Sequence, residues 1–478
     1  MPFIADEPLI IELGLDALES GTAVTSGLQG TRGAAYGPAP TWFYQATLLL
    51  TSDLRVVAVI KIVLVTLPTA GGLLLLGRSL PGLSLPLAAF AFLSPYLWFY
   101  ARDLWDNSFS IPFTVMVVAT YSAFHATGRT RWLVGTAAFA VLCLMTHLMT
   151  TPLVAAVFVH LMVSQRRRFV ADRRFAGPVA LVGAASVAVM VPYLRDLSAG
   201  AATSLLWSPS PRALLFALDG FRIFSVRGFD YVVGDWSAGG LAPVVVALSC
   251  VSYGVGAWGA VLLNRTLRDG GGWTASAASP DGGSRGGDPR YGGLGDAGPA
   301  IAAVVALTRV FCVVVANGKR LVEHPHYYSG VWPAFFLLWW WGMSDLVHRV
   351  WARRVYAVQA TVMAAFLVGM VTWIHVNRGT RSLHYGPTLA NQMAVAAELE
   401  QLGVEDAPPS PAHHPRLFPQ AIRVLRRLDA RSRGVEASVT AAGSERGETG
   451  ALSGEYEIVY THPEGEGGEI VVRRRSDG

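Results

Sequence analysis

Residues 54–76 read LRVVAVIKIVLVTLPTAGGLLLL. About 20 mostly apolar residues suffice to cross a bilayer as a helix, and this run is long enough. It has neither the alternation of a half-buried strand nor the polar stripe of a surface helix. Comparable runs follow at 81–99, 107–125, 131–147, 148–164, 176–194, 241–263, 299–316, 331–348 and 355–376. His147 and Pro152 mark the break that divides 131–164 into two spans. The fold class this predicts is an all-α polytopic membrane protein with about ten transmembrane helices.

Composition agrees. Of 478 residues 52% are hydrophobic and only 15% charged, against about 25% charged in a soluble domain; mean hydropathy is +0.40. The net charge of +5 is not a nucleic-acid signal, because the arginines gather in short loops between apolar runs. The partner it implies is the lipid bilayer. Cys143, Cys250 and Cys312 all fall inside apolar runs and read as small core residues, without disulfide or metal spacing. Met1 is followed by polar sequence, with no basic or apolar segment of a cleavable signal peptide.

Orientation follows from loop charge. Arg129 and Arg131, then Arg166, Arg167, Arg168, Arg173 and Arg174, then Arg349, Arg353 and Arg354 fall on one side of these spans, which the positive-inside rule makes cytoplasmic. Residues 1–53, 100–106, 195–240, 317–330 and everything after 377 are then extracytoplasmic, in a multi-pass protein of the cell membrane. The division expected is a first extracytoplasmic loop at 1–53 carrying an acidic motif, a transmembrane domain at 54–376 with a flexible Gly/Ser/Asp-rich cytoplasmic loop at 264–298, and a C-terminal extracytoplasmic region at 377–478. The last mixes helical signal (LANQMAVAAELEQL), a basic stretch (AIRVLRRLDARSR) and strand-like ends (YEIVYTHP, GEIVVRRR), a small α+β tail disordered across 433–453. An outer first loop calls for a preceding helix to carry it across, so a late start of the reading frame is expected.

Unusual residues concentrate in three outer segments. The first carries Asp6 and Glu7, then GPAPTWFYQ, where Pro38 and Pro40 precede Trp42, Phe43 and Tyr44. The acids either form a solvated loop or line a cavity where negative charge is used. The second, SPYLWFYARDLWDNSFSIPF, sets Arg102 beside Asp103 and Asp106, as a self-neutralising cluster or as a carboxylate acting on substrate while Arg102 holds a phosphate. The third, NGKRLVEHPHYYSGVWP, crowds Lys319, Arg320, His324, His326, Tyr327 and Tyr328. Such groups at a membrane surface can hold a lipid phosphate and stack on a sugar; the His-X-His pair alone is a weak metal signal. Within the spans, Lys61 can snorkel, Arg309 lies too deep for that and asks for a cavity or partner, and His147 reads as a satisfied core histidine or a substrate contact.

The order of these segments resembles the GT-C glycosyltransferases, nearest to the protein O-mannosyltransferase (dolichyl-phosphate-mannose-protein mannosyltransferase-like) and aminoarabinose transferase branch. The similarity runs over roughly 1–376: Asp6-Glu7, GPAPTWFYQ entering the next helix, the Ser-Pro, Arg and acidic pattern of the second segment, and HYYSGVWPAFF starting a late span. Two departures are evident: the family's first helix is absent, and the Lys of its Lys-Pro-Pro motif has no counterpart at GPAP. The resemblance implies a GT-C-like helical bundle that transfers a sugar from a polyprenyl-phosphate donor to a protein, lipid or glycan acceptor on the extracytoplasmic face. It implies Asp6 as general base, with Glu7, Asp103 and Asp106 as further catalytic carboxylates. Arg102, Arg309, Lys319 and Arg320, or a divalent metal, would stabilise the departing phosphate; His147, His324, His326, Tyr327 and Tyr328 complete the expected substrate contacts. A transporter, with Lys61 and Arg309 lining a path, and a non-catalytic membrane scaffold are the rival readings.

Overall fold

A computed structural model describes residues 6–30, 35–80, 83, 85–201, 211–233, 240–269, 297–319, 325–380, 386–404, 419–433, 456–460 and 470–474. The helices, in chain order, are α1 (Asp6–Ser20), α2 (Ala39–Leu50), α3 (Leu54–Ser79), α4 (Leu85–Phe92), α5 (Pro95–Arg102), α6 (Ser110–Thr127), α7 (Arg131–Leu144), α8 (Thr151–Ser164), α9 (Arg166–Ala171), α10 (Arg173–Ala201), α11 (Pro211–Asp219), α12 (Arg227–Val233), α13 (Ala242–Asp269), α14 (Gly298–Lys319), α15 (Trp332–Leu346), α16 (Val350–Asn377), α17 (Leu389–Gln401) and α18 (Pro419–Ser432). Strands β1 (Tyr456–Tyr460) and β2 (Ile470–Arg474) pair antiparallel, Ile458 opposite Val472. Among the described residues six helices are long and apolar enough to cross a membrane: α3, the Asp106–Thr127 helix containing α6, and α10, α13, α14 and α16. The chain is an all-α membrane protein.

Local chemistry sets the boundaries. Asp53 caps α3 by accepting from the Arg55 N–H at 2.8 Å. Gly128 ends α6 in the left-handed region at φ 67°. Thr388 caps α17, accepting from Asn391 N–H at 3.3 Å. At the centre stands α15, buried at every position from Trp332 to Met343. Trp339 stacks on Phe90 with centroids 4.4 Å apart, and Trp332 on Phe336 at 5.1 Å. Helix α13 approaches α15 through glycine on both sides: a β-carbon on Gly259 would lie 1.8 Å from the Leu338 carbonyl oxygen, and one on Gly342 2.1 Å from that of Val255. Small residues at a helix crossing let two backbones approach within a membrane.

Several sequence expectations are corrected here. Residues 1–53 are not simply a loop, since they hold α1 and α2. The run 81–99 is not one helix: the chain breaks between Phe92 and Pro95, with Ser94 Oγ donating to the Ile223 carbonyl at 2.5 Å. Residues 331–348 contain the 15-residue helix α15, buried from Trp332 to Met343 and open only in its last turn. The 195–240 segment contains α11 and α12. Most of the 264–298 loop (270–296) and, apart from Arg433, the 433–453 stretch lie outside the described residues.

The basic stretch of the tail folds as α18 and packs on α1. Arg427 reaches Asp16 at 2.7 Å and Glu19 at 2.5 Å, and Arg423 reaches Glu12 at 3.3 Å. Beneath these pairs Ile10, Ile11 and Leu15 of α1, Val395 and Leu399 of α17 and Val424 and Leu428 of α18 share one hydrophobic core. The first and last parts of the chain therefore sit at the same end of the bundle.

Candidate functional site

The site is built by four segments that meet at that end: the start of α1, the turn Asp103–Phe109 between α5 and α6, the turn at His147 between α7 and α8, and the Pro325–Val331 turn before α15. Glycine makes the joints close. A β-carbon on Gly37 would fall 2.0 Å from the Met145 carbonyl, and the neighbouring Ala39 N–H bonds that carbonyl oxygen at 2.9 Å. This pins the Tyr36 segment to the His147 turn.

The Asp103–Phe109 turn is held from both sides. Glu7, only 2% exposed, accepts the Leu104 N–H at 2.7 Å. Tyr44 Oη donates to the Leu104 carbonyl at 2.5 Å. Lys61, fully buried on α3, donates to the Tyr100 carbonyl at 3.3 Å and to the Asp103 carbonyl, and pairs with Asp103 Oδ1 at 3.3 Å. Asp103 is itself buried, and burial pushes its carboxyl above the ordinary range, against the pull of Lys61. One turn on, Asp106 Oδ1 accepts the Asn107 N–H at 2.7 Å while its buried Oδ2 has no hydrogen-bond partner among the described residues.

Asp6 lies close enough to Asp106 for the two carboxylates to repel. Asp6 keeps solvent-accessible surface, yet the protein around it desolvates its carboxyl and raises it above the ordinary range. Tyr36 stands against both: burial first, then the negative Asp106, then the neighbouring Tyr327 and Asp6, hold its phenol well above the ordinary value. A chain of rings borders the acids. Trp105 meets His326 edge-on at 5.3 Å, His326 meets Tyr327 at 4.2 Å, Tyr327 lies 6.5 Å from His147, and His147 lies 4.3 Å from Tyr36. His147 Nδ1 accepts the Met149 N–H at 3.1 Å, which fixes the ring.

Of the residues singled out from sequence, Asp6, Glu7, Asp103, Asp106, His147, His326 and Tyr327 are brought together. Glu7 is buried and accepts the Leu104 backbone N–H, so it braces the turn that carries Asp103 and Asp106. Tyr328 is turned into the core, stacked on Phe216 at 4.7 Å. Arg102 does not join its sequence neighbours Asp103 and Asp106; it lies over Trp98 at 4.4 Å and lines a different cleft. Arg309 sits mid-way along α14 beside Cys312, its buried Nε without a hydrogen-bond partner among the described residues, and no described contact joins it to the acids. The Lys319 side chain, Arg320 and His324 lie outside the described residues. Lys61 does not snorkel: it is the buried partner of Asp103. Tyr36 and Trp105 are further members that no pattern in the sequence marks beyond their place beside the motifs.

Chemically, the arrangement offers an accessible carboxylate, a second one buried beside it, and aromatic faces that suit a sugar ring. Among the described residues no three His, Cys, Asp or Glu side chains converge at metal-ligand spacing. No family model, curated protein or solved structure matches the chain.

Proposed function

We propose that the chain is a membrane glycosyltransferase, a hexosyltransferase that moves a sugar from a polyprenyl-phosphate donor to a protein, lipid or glycan acceptor. The observation that carries this reading is that Asp6 and Asp106, from segments far apart in sequence, stand within electrostatic reach of each other and of Tyr36, near a row of aromatic rings at one end of a helical bundle. In the reaction Asp6 takes the proton of the acceptor hydroxyl, whose oxygen bonds to the anomeric carbon. The bond from that carbon to the phosphate oxygen breaks, and the lipid phosphate leaves with the electron pair. Tyr327, His326 and Trp105 supply stacking faces for the sugar. The protein around Asp6 desolvates its carboxyl and raises it, so the proton that Asp6 accepts is held favourably.

The finer topology belongs to the same proposal: about ten crossings of the cell membrane, a GT-C-like arrangement, and the acidic end on the extracytoplasmic face. The apolar runs and the arginine bias support it. The pairing of Lys61 with Asp103 gives that cation a local role and removes one motive for a transporter.

The test is sugar transfer by the purified protein in nanodiscs, from polyprenyl-phosphate hexoses to a panel of peptide, lipid and glycan acceptors. Transfer that depends on the donor and is lost in Asp6→Asn supports the reading. No transfer from any such donor, by protein that unfolds cooperatively, overturns it.

A further inference from the structure

At the end of α6 opposite the acids, two histidines and a tyrosine are closed in together. Tyr121 and His125 lie one helical turn apart on α6, and His160 meets them from α8. All three are buried, His125 and His160 each 1% exposed. Tyr121 Oη and His160 Nδ1 share a hydrogen bond of 2.8 Å. The His125 ring lies edge-on to Tyr121 at 4.8 Å and stands 5.5 Å from the ring of His160. From Asp106 to His125 the continuous helix rises about 28 Å, so this cluster is separate from the acidic end.

His125 is the member that packing alone does not explain. Both of its ring nitrogens are buried, and neither has a hydrogen-bond partner among the described residues. Buried polar groups are nearly always paired, because losing water without a replacement is costly. Phe124, packed on His125 at 5.2 Å, and Phe175, stacked on Phe124 at 6.2 Å, offer nothing to pair with. A residue that only filled space here would need no imidazole.

The spacing suits a shared ion. Zinc binds imidazole nitrogen at about 2.0–2.1 Å and oxygen at about 2.0–2.2 Å, so two ligands of one tetrahedral ion stand about 3.4 Å apart and two ligating imidazole ring centres about 5 Å apart. The Tyr121–His160 and His125–His160 separations lie close to these values. Small side-chain shifts bring all three groups onto one ion. Imidazole is the ligand that zinc, copper and nickel favour.

Charge selects the third ligand. Arg168, at the start of the next helix, stands within electrostatic reach of His125, with its guanidinium over Phe175 at 4.3 Å and Nη1 3.5 Å from Gln165 Oε1. Two neutral imidazoles would leave the ion and Arg168 both positive. The phenolate of Tyr121 answers them: the ion replaces the proton between Tyr121 Oη and His160 Nδ1, and that proton leaves to water. Ser164, only half-buried one turn beyond His160, marks the side from which the ion enters.

We propose that Tyr121, His125 and His160 form a binding site for one divalent transition-metal ion, which staples α6 to α8. The inference stands on this cluster alone and does not depend on the transferase reading.

The test uses the tag-free full chain in detergent, stripped with a chelator and titrated with Zn²⁺ by calorimetry. One ion per chain should bind and should raise the unfolding temperature. His125→Gln and His160→Gln should each weaken binding about hundredfold or more, and Tyr121→Phe about tenfold. His326→Gln, at the acidic end, should leave it unchanged. Electron paramagnetic resonance of the Cu²⁺ form of the parent chain should count two imidazole nitrogens, a result that no variant's folding can affect. The assignment is overturned by the lack of saturable binding near one ion per chain or by a copper spectrum without two imidazoles. Unchanged affinity in cooperatively unfolding His125→Gln and His160→Gln, or loss of the ion in His326→Gln, would also overturn it. No sugar transfer is measured, so failure of the enzymatic reading leaves this one standing and the reverse also holds.

Discussion

Lys61 and Asp103 meet at 3.3 Å, one on a membrane-spanning helix and the other on the turn beside it, and both are closed to solvent. Two buried charges hold each other only while both are present. Lys61→Met alone, or Asp103→Asn alone, should destabilise the protein by about 3–5 kcal/mol, because the remaining partner is stranded. The double variant Lys61→Met/Asp103→Leu should recover much of the loss. Thermal unfolding in detergent reads all three, and simple addition of the two single losses would contradict a direct pair.

Asp6→Asn keeps the size of the side chain and removes its capacity to accept a proton. Transfer should fall about 10²–10⁴-fold with little change in unfolding temperature, because the residue keeps solvent-accessible surface. A variant of normal abundance and near-parental rate would rule Asp6 out as the base and pass the role to Asp106.

The same residue sets a pH dependence. Desolvation raises the Asp6 carboxyl above its ordinary value. A base works only when deprotonated, so the rate should rise with pH through this raised value rather than near the ordinary aspartate value of about 3.9. The acid limb of the kcat/KM profile should vanish in Asp6→Asn. An acid limb at the ordinary aspartate position in the parent protein would contradict the proposed surroundings of Asp6.

Glu7 should behave differently from Asp6. Its carboxylate accepts the buried Leu104 N–H, so Glu7→Ala leaves that donor unsatisfied at a cost of about 1–3 kcal/mol. Stability and transfer should drop together, and Glu7→Gln, which retains an acceptor oxygen, should lose less of both. A Glu7→Gln variant that loses all transfer while keeping parental stability would place Glu7 among the reacting groups instead.

Gly259→Ala and Gly342→Ala test the central crossing. Each added methyl group would meet a carbonyl oxygen of the facing helix, at 1.8 Å and 2.1 Å respectively. Overpacking of this kind costs about 1–3 kcal/mol, read as a lower unfolding temperature in detergent. Gly254→Ala on the same helix has nothing within 4 Å and serves as the comparison.

Sequence by itself determined that this is a helical membrane protein, because apolar runs such as Leu54–Ser79 have no other way to satisfy their backbone groups in lipid. It also singled out the three segments whose Asp6, Asp106, His326 and Tyr327 come together. Hydropathy could not tell that the 81–99 run is broken at Ser94 or that the 331–348 run holds a helix buried from Trp332 to Met343. A run of apolar residues reads alike whether it faces lipid or protein. Nor could it tell that Arg102 and Asp103, adjacent in the chain, serve different places. Helix α5 ends between them and Asp103 adopts an extended conformation at φ −69°, ψ 157°. Arg102 is left on Trp98, and Asp103 is carried inward to Lys61. Which way a charged side chain faces at a helix end depends on the partner waiting there, and only the tertiary structure brings α3 to that place.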